Sequence, residues 1–477
     1  MRANCMEATT KMANKIEEDS TDAHGHQFNS VAIALDEAPR SKFHSKVIVV
    51  SGAGFFTDAY DLFVISTVAL LATSEWNLST TETSWVTGSA ILGAFLGAFI
   101  FGRMADVLGR KRVYVMVAAI MIVGALASAL SPNWFILVLA RFVLGLGVGG
   151  DYPVSAVLMS EYSNRQDRGR LVGMVFSMQA VGLIVGPLVA LLLVISGVSN
   201  DLTWRILLGL GAIPAAAVIY LRSKIPESPR FRAHVEGAMS EAAADLQSFT
   251  GIDVSRDETA SDQGTLITFR GFLRNRRMLT LVLGTAGSWF LLDYAYYGNS
   301  LSLPQILKEV SPNATLTVKL LWTLGLFVVF AAPGYLMAIL KMDRMGHRRL
   351  QWIGFLVMAL SFATLGVFAH LTTMVVPFLL IFGVSYFFIE FGPNMTTFVL
   401  PSEIFPVNMR TTGHGIAAGM GKLGAFVGVF LVPLLQTHIG LRGMLLVAAA
   451  ASLAGLALTM ILPEPSQRSL EHFSGRE

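Results

Sequence analysis

The chain has 477 residues, of which 53% are hydrophobic and only 14% are charged, and its mean hydropathy is +0.60. Soluble globular domains carry about 25% charged residues, so this composition excludes an ordinary soluble protein and predicts a fold whose solvent is lipid. The formal net charge of +3 is too small to indicate a nucleic-acid partner. The only cysteine, Cys5, excludes a disulfide framework and a thiol ligand set, so the sequence predicts no redox chemistry, no cofactor and no bound metal.

The chain begins with a polar segment. Residues 1–45 are mixed in charge and lack the basic and then apolar pattern of a cleaved signal peptide. We expect a disordered cytoplasmic tail there, so the first span itself would direct insertion.

Apolar stretches of about 20 residues follow, and each is long enough to cross a hydrocarbon core of about 30 Å. The sequence predicts about twelve spans, at 47–74, 84–103, 113–130, 134–160, 171–195, 204–224, 278–300, 316–340, 350–370, 373–400, 412–437 and 443–462. The expected fold class is therefore an all-α membrane protein.

The longest polar stretch divides these spans into two sets of about six. We expect an N-terminal bundle at 46–224, a cytoplasmic connecting loop with partial helix at 225–277, a C-terminal bundle at 278–463 and a cytoplasmic tail at 464–477. Lysine and arginine concentrate in the turns on one side of the spans, which predicts that this side and both termini are cytoplasmic.

Several charged groups interrupt the spans, and a charge at bilayer depth is costly, so its presence indicates function. In chain order they are Asp58 and Asp61 in GFFTDAYDLF, Asp151 in GGDYP, Asp293 in WFLLDYAYYG, Glu390 in FIEFGPN and Lys422 in GMGKLGA. Trp289 and Tyr297 lie one helical turn before and after Asp293, so the three side chains are expected on one helix face. This pattern is typical of a proton-coupled transporter.

A basic turn is repeated in the two halves. The segment GRMADVLGRKR (102–112) follows the second span, and DRMGHRR (343–349) follows the eighth. Gly102 and Gly109 permit a tight turn, while Asp106 is placed to sit at a helix N-terminus and to pair with Arg110. A loop that merely anchors a span explains one copy, but it explains two copies at equivalent places poorly.

With six plus six spans, the repeated turn resembles the major facilitator superfamily. The resemblance implies the major facilitator fold, in which two pseudo-symmetric six-helix bundles rock around a site at the bilayer midplane. We expect Asp106 and Arg110, with Gly102 and Gly109, to act in gating by linking the two bundles in the state closed to the cytoplasm.

Longer strings narrow the resemblance. RFVLGLGVGGDYPVSAVLMSEY (141–162), FSMQAVG, WFLLDYAYYG, FGPNMTTFVLPSEIFP and GKLGA resemble the fungal and plant phosphate:proton symporters. That family implies a plasma-membrane symporter of inorganic phosphate and protons, with a substrate site at Tyr152, Gln179, Trp289, Asp293, Tyr297, Asn394 and, close by, Lys422. It also implies a proton route through Asp58, Asp61 and Asp151.

The implied site is chemically sensible. Phenol, amide and indole groups would donate hydrogen bonds to the phosphate oxygens. Several arginines would instead bind phosphate too tightly for it to be released. Asp293 cannot remain ionised beside an anion in a low-dielectric cavity, so coupling follows if it must first be protonated. We expect Lys422 to neutralise Asp293 or Glu390 in the empty site and to turn to the phosphate after that carboxyl is protonated.

Plainer interpretations stay open for single residues. Tyr152, Trp289 and Tyr297 would serve equally as packing residues with a satisfied polar tip. Gln179 and Asn394 would also suit simple hydrogen bonds between helices. Arg141 is expected to be structural. Close helix contact is expected at Gly145, Gly147, Gly149 and Gly150.

The sequence departs from the family at Glu390, where a neutral amide is expected, and at His414, where a small residue is usual. A second carboxyl near an anion site keeps other substrates open, namely an organic anion or an organophosphate, as well as a second protonation site. A phosphate sensor on the same scaffold is a further alternative. An intramembrane aspartyl protease is disfavoured, because Val148 stands where its second motif needs glycine. The oligomeric state is not determined by the sequence.

Overall fold

The computed structural model describes residues 30–250 and 267–473; residues 1–29, 251–266 and 474–477 lie outside the described residues. Over the described ranges the fold is all-helical. Eleven helices of the described chain are long and apolar enough to cross a membrane: Lys42–Trp76, Thr81–Leu108, Arg110–Ala129, Trp134–Tyr162, Arg168–Ile195, Asn200–Ser223, Arg276–Leu301, Leu316–Met345, His347–Val367, Val375–Ile404 and Val407–Thr459. The first ten are the first to tenth spans.

The last of these helices contains two spans. Gly440, with φ 70° and ψ 170°, breaks the helix Arg410–Thr459. This left-handed conformation is accessible to glycine at little cost. The eleventh span is therefore 410–439 and the twelfth is 441–459, so the predicted count of twelve is confirmed.

Short helices occupy the connections between the spans. In the segment between the sixth and seventh spans they are Pro229–Phe231, a π-helical turn at Arg232–Glu236, Met239–Thr250 and Phe269–Arg274. Beyond the seventh span there are Leu303–Val310, Ala369–Thr372 and Leu470–Phe473. The partial helix predicted for the connecting loop is present in its described part.

Four of the described spans are interrupted along their length, the sixth span at Gly211. The fifth is divided at Ser177 into two helices, and the eighth contains a π-helical turn at Phe327–Ala331. The tenth is broken at Gly392, whose φ of −115° and ψ of −103° are not helical. Such interruptions reorient the following side chains and are frequent at functional sites.

Glycines allow the spans to approach closely, as predicted. A Cβ added to Gly145 or Gly149 of the fourth span would overlap the carbonyl oxygen of Ala90 or Ala94 in the second span. Gly424 plays the same part between the eleventh and seventh spans. Helices without side chains at the crossing pack backbone against backbone, which brings the polar residues beside these glycines into the interior.

Residues 30–45 differ from the predicted disordered tail. The helix Ser30–Glu37 buries its apolar side against the helix Met239–Thr250. Asp36 Oδ1 also accepts hydrogen bonds from Arg168 and Arg230 at 3.0 and 2.6 Å. The short apolar run VAIAL, which was outweighed by the polar composition of 1–45 as a whole, supplies the buried surface that orders this segment.

The outer surface of the bundle is apolar. Val123 and Val376, for example, are 61% and 65% exposed. Large exposed apolar side chains all round a helical bundle are what a lipid-facing surface requires, whereas the polar residues of the spans point inward.

Candidate functional site

The polar residues of the spans converge on one closed cluster between the first six and the last six spans. Ten of its members are at most 3% exposed: Asp58, Tyr152, Gln179, Trp289, Asp293, Tyr297, Tyr335, Glu390, Asn394 and Lys422. The structure thus places all seven residues expected to bind substrate together, along with Asp58 and Glu390. It adds Tyr335, which the sequence analysis did not single out.

Three residues of the first six spans form one part of the cluster. Tyr152 Oη donates a hydrogen bond to Asp58 Oδ2, and Gln179 Nε2 donates to the same oxygen at 3.2 Å and to Tyr152 Oη at 2.8 Å. The Asp58 carboxylate therefore accepts the hydrogen bonds that the Tyr152 phenol and the Gln179 amide have to offer. An anion that bound to these two donors would compete with the Asp58 carboxylate.

The ammonium of Lys422 lies on two phenols. Its Nζ donates to Tyr152 Oη at 2.9 Å and to Tyr297 Oη at 3.1 Å, and it stands 4.3 and 4.6 Å from the centroids of the two rings. Among the described residues no carboxylate forms an ion pair with Lys422, which differs from the expected partner, Asp293 or Glu390. The phenol oxygens and ring faces stabilise the ammonium instead, and the Tyr152 phenol connects it to Asp58.

Tyr335 joins the two halves of the molecule through hydrogen bonds. Its phenol, on the eighth span, donates to Gln179 Oε1 at 3.1 Å and accepts from Asn394 Nδ2 at 2.9 Å. The π-helical turn at Phe327–Ala331, just before Tyr335, has no recognisable sequence signature. The one sequence feature that pointed to Tyr335 was its hydroxyl group within the apolar segment PGYLMAIL.

Asp293 lies in the cluster without a hydrogen-bond partner. Within the described chain neither of its carboxylate oxygens makes a hydrogen bond of normal geometry, although the Trp289 indole is beside it. The Trp289 ring packs at 6.1 Å from Tyr152 and at 5.7 Å from His414. A buried carboxyl without a close partner is costly to ionise, so Asp293 is a candidate proton-binding group.

His414, the second departure from the family pattern, shapes the site without entering it. Its ring packs edge-on against Trp289 and against Phe398, at centroid distances of 5.7 and 5.3 Å. His414 Nε2 is 2.9 Å from the Phe398 carbonyl oxygen. This bond anchors the ring that supports Trp289.

Glu390 lies at the other end of the hydrogen-bond chain and is fully buried. Its Oε2 accepts from Asn394 Nδ2, which connects it through Tyr335 and Gln179 to Asp58. The break at Gly392 brings Asn394 back beside Glu390. One continuous network therefore runs between the two halves, with a carboxylate at each end.

Asp61 and Asp151 differ from the other intramembrane carboxylates. Asp61 accepts two hydrogen bonds from Arg141, at 3.2 and 3.0 Å, and Asp151 accepts two from Arg222, at 2.7 and 3.0 Å. This bidentate pair is the kind of contact expected for a structural Arg141. The ion pair of Arg222, at the end of the sixth span, was not predicted. An arginine at the end of a span is normally interpreted as a residue that lies at the membrane surface.

The first copy of the repeated turn connects the two halves at the basic face, meaning the end of the bundle that carries 102–112 and 341–349. Arg110 and Asp106 form an ion pair at 3.1 Å. Asp106 accepts hydrogen bonds from the backbone nitrogens of Thr411 and Thr412, at 3.3 and 2.6 Å, at the start of the eleventh span. Arg110 donates to the Val407 carbonyl at 2.8 Å.

Gly102 and Gly109 of this turn each meet a different structural requirement. A Cβ on Gly102 would lie 2.9 Å from the Thr411 carbonyl oxygen, so this crossing excludes a side chain. Gly109 has φ 93°, in the region that favours glycine, and separates the second and third spans. Glu161 completes the linkage by accepting from Arg110 at 3.3 Å and from Arg410 at 3.2 Å.

The second copy of the turn has the same layout with a different cation. Asp343 accepts a hydrogen bond from the backbone nitrogen of Arg170 at 2.9 Å, across the two halves. Gly346 has φ 88°, like its counterpart Gly109. Where the first copy has Arg110, the second has His347, whose ring nitrogens lie 3.6 Å from Asp343 and 3.3 Å from Glu403.

No group of three or more His, Cys, Asp or Glu residues in the described ranges is arranged to hold a metal ion. The chemistry of the cluster is therefore described by its own donors, its carboxyls and one ammonium, which together suit an oxyanion and protons.

Comparison with known proteins identifies the family. Residues 46–475 match the model of the sugar (and other) transporter family. The probable inorganic phosphate transporter 1-6 of Arabidopsis thaliana is 36% identical over 496 residues, which cover 94% of this chain and 96% of the relative. The inorganic phosphate transporter 1-6 of Oryza sativa subsp. japonica is 38% identical over 504 residues, covering 93% of this chain and 94% of the relative.

Solved structures agree on the fold. The proton:xylose symporter XylE bound to 6-bromo-6-deoxy-D-glucose has a TM-score of 0.79 at 21% identity, and the match covers 91% of this chain and 98% of that one. The xylose transporter XylE from E. coli in a partially occluded inward-open conformation has a TM-score of 0.69 at 22% identity, covering 89% and 99%.

The protein is thus a multi-pass membrane transporter and not an enzyme. It belongs to the sugar (and other) transporter family of the major facilitator superfamily, in the group of the inorganic phosphate transporters.

Proposed function

We propose that the protein is a secondary active transporter that carries inorganic phosphate together with protons across the plasma membrane by alternating access. The observation that supports this most directly is the closed cluster between the two halves. In it, neutral donors surround a single ammonium and carboxyls that form no ion pair within the described ranges. The names of its relatives from Arabidopsis thaliana and Oryza sativa support phosphate as the substrate.

The substrate would be dihydrogen phosphate. The phenols of Tyr152 and Tyr297, the amides of Gln179 and Asn394 and the indole of Trp289 supply neutral hydrogen-bond donors, and Lys422 supplies one compensating charge. Hydrogen bonds from neutral donors are individually modest, so such a site would bind an oxyanion and still release it.

Proton coupling would follow from Asp293. Bringing an anion next to an ionised carboxylate in this closed space is unfavourable, so phosphate would bind only after Asp293 has taken a proton from the extracellular side. Phosphate release to the cytoplasm would free the proton as well. Of the three carboxylates that the family resemblance implies for the proton route, Asp58 is held only by neutral donors, so it would be the one that passes protons to Asp293. Asp61 and Asp151 each face an arginine instead.

Alternating access would use the links at the basic face as a gate. This face is predicted to be cytoplasmic, with both termini on the same side. The contacts of Asp106 and Arg110 with the eleventh span support a role in holding the cytoplasmic side closed. Opening would require these links to break while the site closes toward the outside.

Uptake into reconstituted vesicles tests this proposal. With an imposed inward proton gradient and no membrane potential, one coupled proton accumulates dihydrogen phosphate about tenfold for each pH unit. Phosphate, arsenate, sulfate and glycerophosphate are compared, and arsenate should compete because it is nearly isosteric with phosphate. Preferred accumulation of glycerophosphate or of an organic anion would replace inorganic phosphate as the substrate, and phosphate binding without any flux would favour a sensor.

A further inference from the structure

Glu390 is the one carboxyl of the cluster that the proposed transport mechanism does not yet use. It belongs to the first helix of the tenth span, Val375–Phe391, and is 0% exposed. The non-helical residue Gly392 then starts the second helix, Pro393–Ile404, so that Asn394 returns to the same position beside Glu390.

The contacts of Glu390 are all with neutral groups. Its Oε2 accepts from Asn394 Nδ2, and the phenols of Tyr296 and Tyr335 lie beside the carboxyl. Glu390 Oε1 has no hydrogen-bond partner among the described residues. Among the described residues, the titratable groups that face it are these two phenols, the phenols of Tyr297 and Tyr386 and the carboxyl of Asp293. No lysine, arginine or histidine of the described ranges forms an ion pair with it.

This environment differs from that of Asp61 and Asp151. Each of those carboxylates is held by an arginine that makes two hydrogen bonds to it, so its charge is compensated permanently. Arginine does not lose its proton in proteins, so the positive partner of each of these two carboxylates is permanent. Glu390 has no such partner, and its charge is stabilised only by donors that can turn away.

The donors that hold Glu390 are also substrate donors in the proposed site. Asn394 has two N–H groups, and the structure uses one for Glu390 and the other for Tyr335 Oη. A phosphate oxygen that accepts from Asn394 must therefore displace one of these partners. If Glu390 were the one displaced while ionised, a buried carboxylate would be left beside an anion without a donor, which is strongly unfavourable.

We propose that Glu390 is a second proton carrier, which competes with the substrate for the Asn394 amide and so adds one proton to each phosphate transported. In the empty site Glu390 is ionised and accepts from Asn394. On loading, a proton from the extracellular water converts it to the neutral acid, and Asn394 turns to the phosphate. After phosphate leaves to the cytoplasm, the proton follows it there. This inference rests on the proposed phosphate symport.

The charge balance gives the proposal an electrical consequence. In the loaded site, protonated Asp293 and Glu390 leave the Lys422 ammonium to balance one dihydrogen phosphate. In the empty site, ionised Asp293 is balanced by Lys422, and ionised Glu390 adds one uncompensated negative charge. The empty site would return outward with that charge, so an inside-negative membrane potential drives the cycle.

Glu390→Gln tests the proposal, because it keeps the shape and removes the titrating group. The purified protein is reconstituted and given a pH gradient of one unit at zero membrane potential, and the accumulation ratio of dihydrogen phosphate is measured. Each coupled proton contributes about tenfold for one pH unit, so the variant should accumulate about tenfold less than the wild type. The wild-type ratio should rise with an imposed potassium-diffusion potential more steeply than that of the variant.

Glu309→Gln serves as the matched control, since it makes the same chemical change at an exposed carboxylate whose described partner is Gln436. It should accumulate phosphate as the wild type does. An equal accumulation ratio and equal voltage dependence in Glu390→Gln would overturn the proposal while leaving phosphate symport intact. If the wild type itself carried no phosphate, the proposed function would fail instead, and that result comes before any variant is compared.

A second measurement decides the question independently of flux. Phosphate binding to detergent-purified protein is followed by calorimetry in buffers of different ionisation enthalpy, which reports the protons taken up on binding. The wild type should take up one more proton than Glu390→Gln. If Glu390→Gln does not fold, Glu390→Asp, which keeps a titrating group, replaces it. Proton uptake equal to the wild type with a shifted pH profile is then expected, and an unshifted profile would overturn the proposal. Loss of phosphate binding in a folded Glu390→Gln protein would make Glu390 a structural part of the site and would also overturn it.

Discussion

The two halves of the molecule differ in the partners of their buried carboxylates. In the first six spans Asp61 and Asp151 are each bound by an arginine through two hydrogen bonds. In the last six spans Asp293 and Glu390 have no cationic partner within ion-pair distance among the described residues. The comparison suggests that the first half holds its charges fixed, while the second half carries the groups that change charge.

The repeated turns at the basic face differ in their cation. The first copy pairs Asp106 with Arg110, whose charge is permanent, and the second places His347 between two carboxylates, Asp343 and Glu403, which stabilise its protonated ring. Asp58 is the exception in the first half, because only neutral donors hold it. Five substitutions test how far the contrast extends, and they are ordered by the size of the expected effect.

Asp293→Asn should remove the proton that Asp293 carries, because an amide does not titrate. Each coupled proton contributes about tenfold for one pH unit, so the variant should accumulate about tenfold less phosphate than the wild type, and the double variant with Glu390→Gln should reach only equilibrium. Uptake into vesicles with and without the gradient measures this. An Asn variant that still concentrated phosphate as well as the wild type would remove Asp293 from the coupling mechanism.

Asp61→Asn should mainly reduce stability. Removing one partner of a buried ion pair leaves Arg141 uncompensated, at a cost of about 3–5 kcal/mol. The thermal unfolding midpoint in detergent should fall, and the double variant Asp61→Asn with Arg141→Gln should recover much of the loss. A stable Asp61→Asn protein with lost coupling would show that Asp61 belongs to the proton route and would break the contrast between the halves.

Lys422→Met should weaken phosphate binding and shift the pH dependence of uptake. A hydrogen bond to a charged group contributes about 1.5–3 kcal/mol, which corresponds to a loss of affinity of about tenfold or more. Equilibrium binding to purified protein measures the change, with the exposed Lys341 replaced by methionine as control. Normal affinity combined with poor folding would indicate that the ammonium is only a structural element between Tyr152 and Tyr297.

Arg110→Ala should change turnover more than binding. The substitution removes the link to Val407 and the ion pair with Asp106, so it should shift the balance between open and closed states by about 1–3 kcal/mol, which is about fivefold or more in rate. Exchange rates and equilibrium affinity are compared with those of Arg112→Ala, an exposed arginine on the same turn. An affinity loss as large as the rate change would place this turn at the substrate site.

His347→Arg should produce the smallest effect, because it replaces one cation of the second turn by another. We expect a change of about twofold in turnover near neutral pH and an unchanged dependence of turnover on the internal pH, because Asp343 and Glu403 keep the His347 ring protonated through that range. Turnover of reconstituted protein at several internal pH values measures this. A loss of turnover with rising internal pH that is steeper in the wild type than in His347→Arg would show that His347 changes charge during transport.

Much of this molecule was predictable from local sequence. The spans, the break between two sets of six and the repeated turn depend on hydropathy and on residues within one or two helical turns of each other. The residues of the cluster were found because charged and hydrogen-bonding groups are rare in apolar spans. The ordered helix Ser30–Glu37 was missed, since its partner helix lies some two hundred residues further along the chain.

Lys422 shows how the prediction failed in detail. Its need for a partner followed from its depth, but no carboxylate among the described residues forms an ion pair with it, because Tyr152 and Tyr297 bring two phenols closer. Tyr335 was missed for a related reason. A tyrosine in a span usually packs, and only the positions of Gln179 and Asn394 show that its oxygen bridges two halves.

The sequence by itself determined the class of protein, the number of spans and which polar residues enter the interior, because the cost of burying polar groups in lipid acts at each position separately. Tertiary structure alone decided which of those residues meet. Arg141 and Asp61 are 80 residues apart in the sequence, and Lys422 and Tyr152 are 270 apart. Whether a buried carboxylate faces an arginine, a phenol or nothing depends on how the spans pack, and that difference separates a fixed charge from one that is free to titrate.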